Sequence, residues 1–111
     1  MIARIWHGWT SHQNADIYEN LLRDEIFPAI ENKQVEGYRK ISLLKRSHEK
    51  EVEFITIMLF NDIDAVKAFA GEDYERSYVP EKAQKVLLRH DNSSQHYEIV
   101  NEKTIEHGTN R

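Results

Sequence analysis

The chain has no cysteine, so a disulfide, a thiolate-held iron–sulfur cluster and a thiol nucleophile are all excluded. Its four glycines stand apart from one another. No glycine-rich phosphate loop exists, and no cofactor of the nucleotide kind is expected. No apolar run approaches the length of a membrane span, and the run from Ile55 to Phe60 is broken by Thr56. Charge of one sign is not concentrated. Arg39, Lys40, Lys45 and Arg46 lie close together, but Glu49, Glu51 and Glu53 follow, and the net charge is −4. A nucleic-acid partner needs a basic face and is not expected. His12, His48 and His107 match no metal-ligand spacing. Asp62 and Asp64 suit the first turn of a helix, so no metal is expected. Met1 leads directly into a strand-like segment without a signal-peptide pattern, which makes the cytoplasm the default compartment and a membrane an unexpected partner.

What is present is a short alternation of elements. The 111 residues make one domain, over 1–100, with a polar tail at 101–111. Ile2 to Thr10 is rich in β-branched and aromatic residues and reads as a strand. A helix follows, capped by Asn14 and periodic at Tyr18, Leu21, Leu22, Ile26 and Ile30. Pro28 should kink or end it near Phe27, leaving 31–36 as a loop. Gly37 to Arg46 and Glu51 to Phe60 form a hairpin around a polar turn. Asp62 or Asn61 caps a second helix through Ala65, Val66 and Phe69, which Gly71 ends or bends. Pro80 starts another helical turn through Ala83, Val86 and Leu87. Gln95 to Val100 is the fourth strand. The order β-α-β-β-α-β predicts an α+β, ferredoxin-like fold with one antiparallel sheet.

Two strands are apolar on both faces. In the third, Val52, Phe54, Met58 and Phe60 share one parity and Ile55, Ile57 and Leu59 the other. In the first, Ile2 and Trp6 oppose Ala3, Ile5 and Trp9. A half-solvated sheet should alternate instead. The helices can cover one face, so a homodimer burying the other is expected.

The strings IARIWHGWT at the start, DAVKAFAGEDYER over Asp64 to Arg76 and HYEIV over His96 to Val100 resemble the antibiotic biosynthesis monooxygenase family. The resemblance covers roughly residues 1–100. It implies a dimeric α+β barrel with a pocket between sheet and helices, and oxidation of aromatic or quinol substrates by dioxygen with neither metal nor flavin. Other members of the family open haem, using a first-strand asparagine and a tryptophan and histidine on the second helical segment. The matching positions fall at Trp6 or His7, near Phe69 and near Val79, so the resemblance does not carry haem opening over to this chain.

The candidate chemistry is aromatic and basic. A neutral His7 or His96 would take a proton from a phenol or hydroquinone. Trp6 and Trp9 would hold the ring, with Phe60 and Phe69 completing an apolar lining. Tyr97 or Arg39 would steady negative charge. Tyr74 and Tyr78, one helical turn apart, would form a lid with Arg76. His96 and Tyr97 must point to opposite faces of their strand, so one of them lines the helix-side pocket. Each residue also has a purely structural reading, as core packing or as a hydrogen bond to nearby backbone. The function expected is a cofactor-independent monooxygenase. The alternative is a non-catalytic barrel holding a small hydrophobic ligand or a haem.

Overall fold

The computed structural model describes residues 1–106; His107 and the rest of the expected tail lie outside the described residues. β1 (Ile2–Thr10), β2 (Tyr38–Ser47) and β3 (Val52–Phe60) form an antiparallel sheet in the order β2-β3-β1. β1 pairs with β3 along its whole length, from Ile2 opposite Phe60 to Thr10 opposite Val52. The expected fourth strand, Gln95 to Val100, forms over its first four residues, and a two-residue strand that the sequence did not suggest shares the same edge of β1. β4 (Arg89–His90) lies opposite Gly8 and Trp9, and β5 (Gln95–Glu98) lies opposite Ile2 to Ile5. Between them Asp91 interrupts the ladder, because its carboxylate rather than a backbone carbonyl accepts the His7 N–H, at 2.9 Å.

The first helical segment runs further than its proline suggests. α1 (Ala15–Leu21) passes through a π-helical turn, Leu22–Ile26, into α2 (Phe27–Asn32). In a regular helix the Pro28 ring would strike the carbonyl four residues back. The wider turn, in which the Phe27 N–H reaches Leu22 O, takes up that clash. Pro28 then occupies the first turn of α2, where its missing N–H is tolerated. α3 (Ile63–Ala70) begins at Asp62, whose side chain accepts the Ala65 N–H at 2.9 Å, and ends at Gly71 with φ +91°. α4 is a single turn, Glu81–Gln84. Val86 and Leu87 follow it outside the helix. No helix among the described residues is long and apolar enough to cross a membrane.

All helices pack on one face of the sheet. Strand alternation sends Ile2, Arg4, Trp6, Val52, Phe54, Met58 and Phe60 toward them. Val52, Phe54, Met58 and Phe60 are buried, in two clusters against Tyr18, Leu22 and Ala83 and against Ala65 and Val66. Gly37 turns into β2 with φ +90°, and a Cβ there would lie 2.7 Å from that of Ala65, so the hairpin can approach α3 only with glycine at this point. Among the described residues no helix covers the opposite face. There, Ile5 lies beside Ile57, Ala3 beside Leu59, and Leu44 beside Ile55.

Candidate ligand cavity

A cavity of about 130 Å³ lies between the sheet and the helices. Trp6, Phe27, Ile41 and Met58 form apolar walls, and Arg4, Thr56, Ser77 and Ser94 supply polar groups. Tyr18 also lines it; burial pushes the Tyr18 phenol above its usual range, so it stays a neutral hydroxyl. An outer vestibule of about 630 Å³ shares Arg4, Ile26, Ile30, Phe69, Tyr78 and Pro80 with the cavity.

Trp6 is held from three sides. Its Nε1–H donates to the Asp91 carbonyl at 2.9 Å, and its ring stacks on His90 with centroids 5.5 Å apart. Gly8, two residues on and on the same face, leaves it room. A Cβ at Gly8 would lie 3.0 Å from Leu87 Cδ2 and 3.1 Å from the Trp6 ring.

Arg4 is the polar centre. Only 8 % of it is exposed. Its Nη1 donates to the Tyr74 carbonyl at 2.6 Å and to His96 Nε2 at 3.0 Å, and the guanidinium lies 5.7 Å from the Phe69 ring centre. A guanidinium has donors and no acceptor, so His96 Nε2 must be the accepting nitrogen and the neutral ring carries its proton on Nδ1. That Nδ1 is buried and has no hydrogen-bond partner among the described residues; neither has Ser77 Oγ, on the cavity wall.

Burial holds the His96 pKa below its usual value, and the neighbouring Arg4 charge lowers it further, with Glu75 opposing. The unfolded chain, with histidine near 6.5, therefore binds a proton here before the folded one does. Stability from this group is complete above about pH 6.5 and is lost as the pH falls through the lowered value. Thermal unfolding followed from pH 7.5 to 5 should show the loss, and His96→Gln should flatten the profile relative to the parent.

The structure separates the residues expected to work together. Trp6, Phe69 and Tyr78 line the cavity or its mouth, and Tyr78 is 87 % exposed. His96 and Tyr74 stand behind it, linked through Arg4, with the Tyr74 ring edge-on to His96 at 5.2 Å. His7 and Trp9 project from the opposite face of the sheet, so the expected Trp6–Trp9 cradle around one ring does not form. The physical reason is strand alternation: positions of odd and even number part company. There His7 Nδ1 lies 2.6 Å from Asp91 Oδ2, and its ring stacks on Trp9 at 5.9 Å. Tyr97 shares that face and is exposed. Phe60 is core, packed between Tyr38 and Phe69. Arg39 is exposed and donates to Asn61 Oδ1 at 2.6 Å.

Several residues of the site escaped the sequence reading, among them Arg4, Ser77, His90 and Asp91. Arg4 had a partial signal: it shares parity with apolar Ile2 and Trp6, so it must point to the same face of the sheet as they do. His90 and Asp91 had none, because a two-residue strand is too short to show a period.

An antiparallel sheet covered on one face by helices, with a cavity between the layers, defines a ferredoxin-like α+β domain. No family model matches the sequence, and no curated protein does. Solved structures do match. A Bacillus cereus protein provisionally named an antibiotic biosynthesis monooxygenase superposes with TM-score 0.66 at 11 % identity, over 96 % of this chain and 97 % of the other. SnoaB, a cofactor-independent oxygenase from Streptomyces nogalater, aligns over 94 % and 96 % of the two chains at 16 % identity and TM-score 0.49. The first likeness establishes a shared fold across nearly the whole chain, in agreement with the α+β fold read from the sequence.

Proposed function

We propose that this chain is a monooxygenase acting without metal or flavin on a small phenol- or quinol-type ring seated in the cavity. The observation that carries this reading is a largely apolar, partly open cavity with the buried Arg4 guanidinium on its wall, backed by His96. About 130 Å³ suits one aromatic ring, since an apolar cavity of about 150 Å³ takes up benzene. A second ring would extend into the vestibule. The fold shared with the Bacillus cereus protein, and that protein's name, support the same chemistry.

The reaction needs little from the protein. A deprotonated phenol passes electrons to dioxygen, oxygen bonds to the ring carbon para to the hydroxyl, and loss of water leaves a quinone. Phenol and one dioxygen give quinone and one water, with all four electrons drawn from the ring. The chamber would exclude bulk water and hold the ring by apolar contact. With 1-naphthol, the protein should consume one dioxygen per 1,4-naphthoquinone formed and release no hydrogen peroxide. Oxygen uptake no faster than in buffer would reject the reading.

One observation favours the non-catalytic alternative, a barrel that only holds a small ligand: the Nε2 lone pair of His96 is already taken by Arg4. In either case haem should survive. Phe69 and Val79, which line the cavity, occupy the positions where haem-opening relatives are expected to carry tryptophan and histidine. Incubation with haem and ascorbate should leave the Soret band intact apart from slow bleaching that does not depend on protein.

The working form we propose is a homodimer in the cytoplasm. Ile5, Ile55, Ile57 and Leu59 form a contiguous apolar strip on the helix-free face, with Leu44 and Tyr97 exposed beside it. Strips of this kind mark interaction surfaces, and a second copy of the same face is the self-complementary cover.

A further inference from the structure

We infer that the cavity takes its aromatic ligand as the oxyanion, with Arg4 as the counter-ion, so that ionisation of the phenol is driven by this guanidinium and not by a general base. The inference rests on the reading of the cavity as the substrate site and deepens it.

Four observations converge. Arg4 is more than nine-tenths buried, yet its hydrogen bonds go to a neutral carbonyl and a neutral imidazole, and no carboxylate pairs with it among the described residues. A buried charge without a counter-ion is costly, and proteins pair such groups or use them. Arg4 lines both cavity and vestibule, so its remaining donors stand where a ligand passes from one to the other. Second, Ser77 Oγ on the same wall is buried and unpartnered. It is a further donor, of the kind that stabilises an oxyanion in a water-poor site. Third, the vestibule is cationic on a chain of net charge −4: Arg4, Lys33, Arg76 and Lys82 line it against one carboxylate, Glu25, which is itself tied to Lys82 at 2.8 Å. Such a mouth draws anions inward. Fourth, the base that a neutral phenol would need is engaged, since His96 Nε2 accepts from Arg4. The proton therefore leaves to solvent through the vestibule before or as the ring enters, and what binds is the phenolate.

The probe is 4-nitrophenol, one ring wide, whose phenolate absorbs in the visible where the phenol does not. An opposite charge at contact lowers an acid's pKa by about 1–3 units, so the bound phenolate-to-phenol ratio near pH 6 should rise about 10-fold or more over free probe. In Arg4→Met the ratio should return to that of the free probe while binding of the neutral form persists. Thermal unfolding of the same sample confirms that the variant is folded. Binding with an unchanged ratio in the parent protein would overturn the inference and leave the cavity reading standing. Absence of saturable binding, in both the spectrum and calorimetry, would overturn both.

Discussion

Arg4→Met is expected to lower kcat for 1-naphthol about 10²- to 10³-fold, the range seen when one donor to a developing oxyanion is removed. The substitution keeps the volume and the apolar stem and deletes the charge. Two effects on stability oppose each other. Losing the guanidinium leaves the Tyr74 carbonyl and His96 Nε2 without their donor, at about 1–3 kcal/mol. It also removes a desolvated charge, and exchanging buried ions for packed apolar side chains is often neutral or favourable. The melting temperature should therefore move little while turnover collapses. Arg4→Lys should recover part of the rate, because it restores the charge but not the two-pronged donor geometry. A kcat within threefold of the parent for a folded Arg4→Met would show that the guanidinium does not touch the reacting oxygen.

The second large effect concerns assembly. Ile57→Asp should turn the proposed dimer into a monomer at micromolar concentration. Ile57 lies on the helix-free face, opposite Ile5 on one side and Ser42 on the other. In a two-fold interface the change enters twice. Burying a carboxylate without a partner costs several kcal/mol, and each 1.4 kcal/mol is tenfold in affinity, so the dissociation constant should rise about 10³-fold or more. The helix-side core is on the other face of β3 and should be untouched, which circular dichroism would show. Sedimentation checks the assembly: a parent protein that is already a monomer at micromolar concentration would reject the dimer.

The two proposals meet at β1. Its even-numbered residues face the helices, with Arg4 and Trp6 lining the cavity, and its odd-numbered ones face the open side. His7 illustrates the consequence. Held by Asp91 through both its N–H and its Nδ1, it belongs to the open face and cannot reach a ring bound beside Trp6. In the proposed dimer, His7 and Trp9 face the partner rather than the cavity.

The order of elements was legible in the chain because hydrophobic period and turn residues are local signals. The first strand, the hairpin, the Asp62 cap and the Gly71 stop each rest on a few neighbouring residues. Two features were not legible. The helix runs through Pro28 because a π turn absorbs the clash, and that depends on packing over two turns. The additional strand β4 stops at His90 because Asp91 turns its carboxylate to the His7 N–H on β1, more than eighty residues away in sequence.

By itself the sequence determined the α+β class, the hairpin of β2 and β3 and the two-sided apolarity of β1 and β3. These follow from alternation and periodicity, which any stretch of chain carries within itself. Only the tertiary structure decided which parity of β1 meets the helices, and with it the site. One step along a strand reverses every side chain, so Trp6 and His7, adjacent in sequence, serve opposite faces. Burial of Arg4 without a carboxylate is likewise a property of the assembled layers. It arises where Tyr74, His96 and Phe69, distant in the chain, close around one guanidinium.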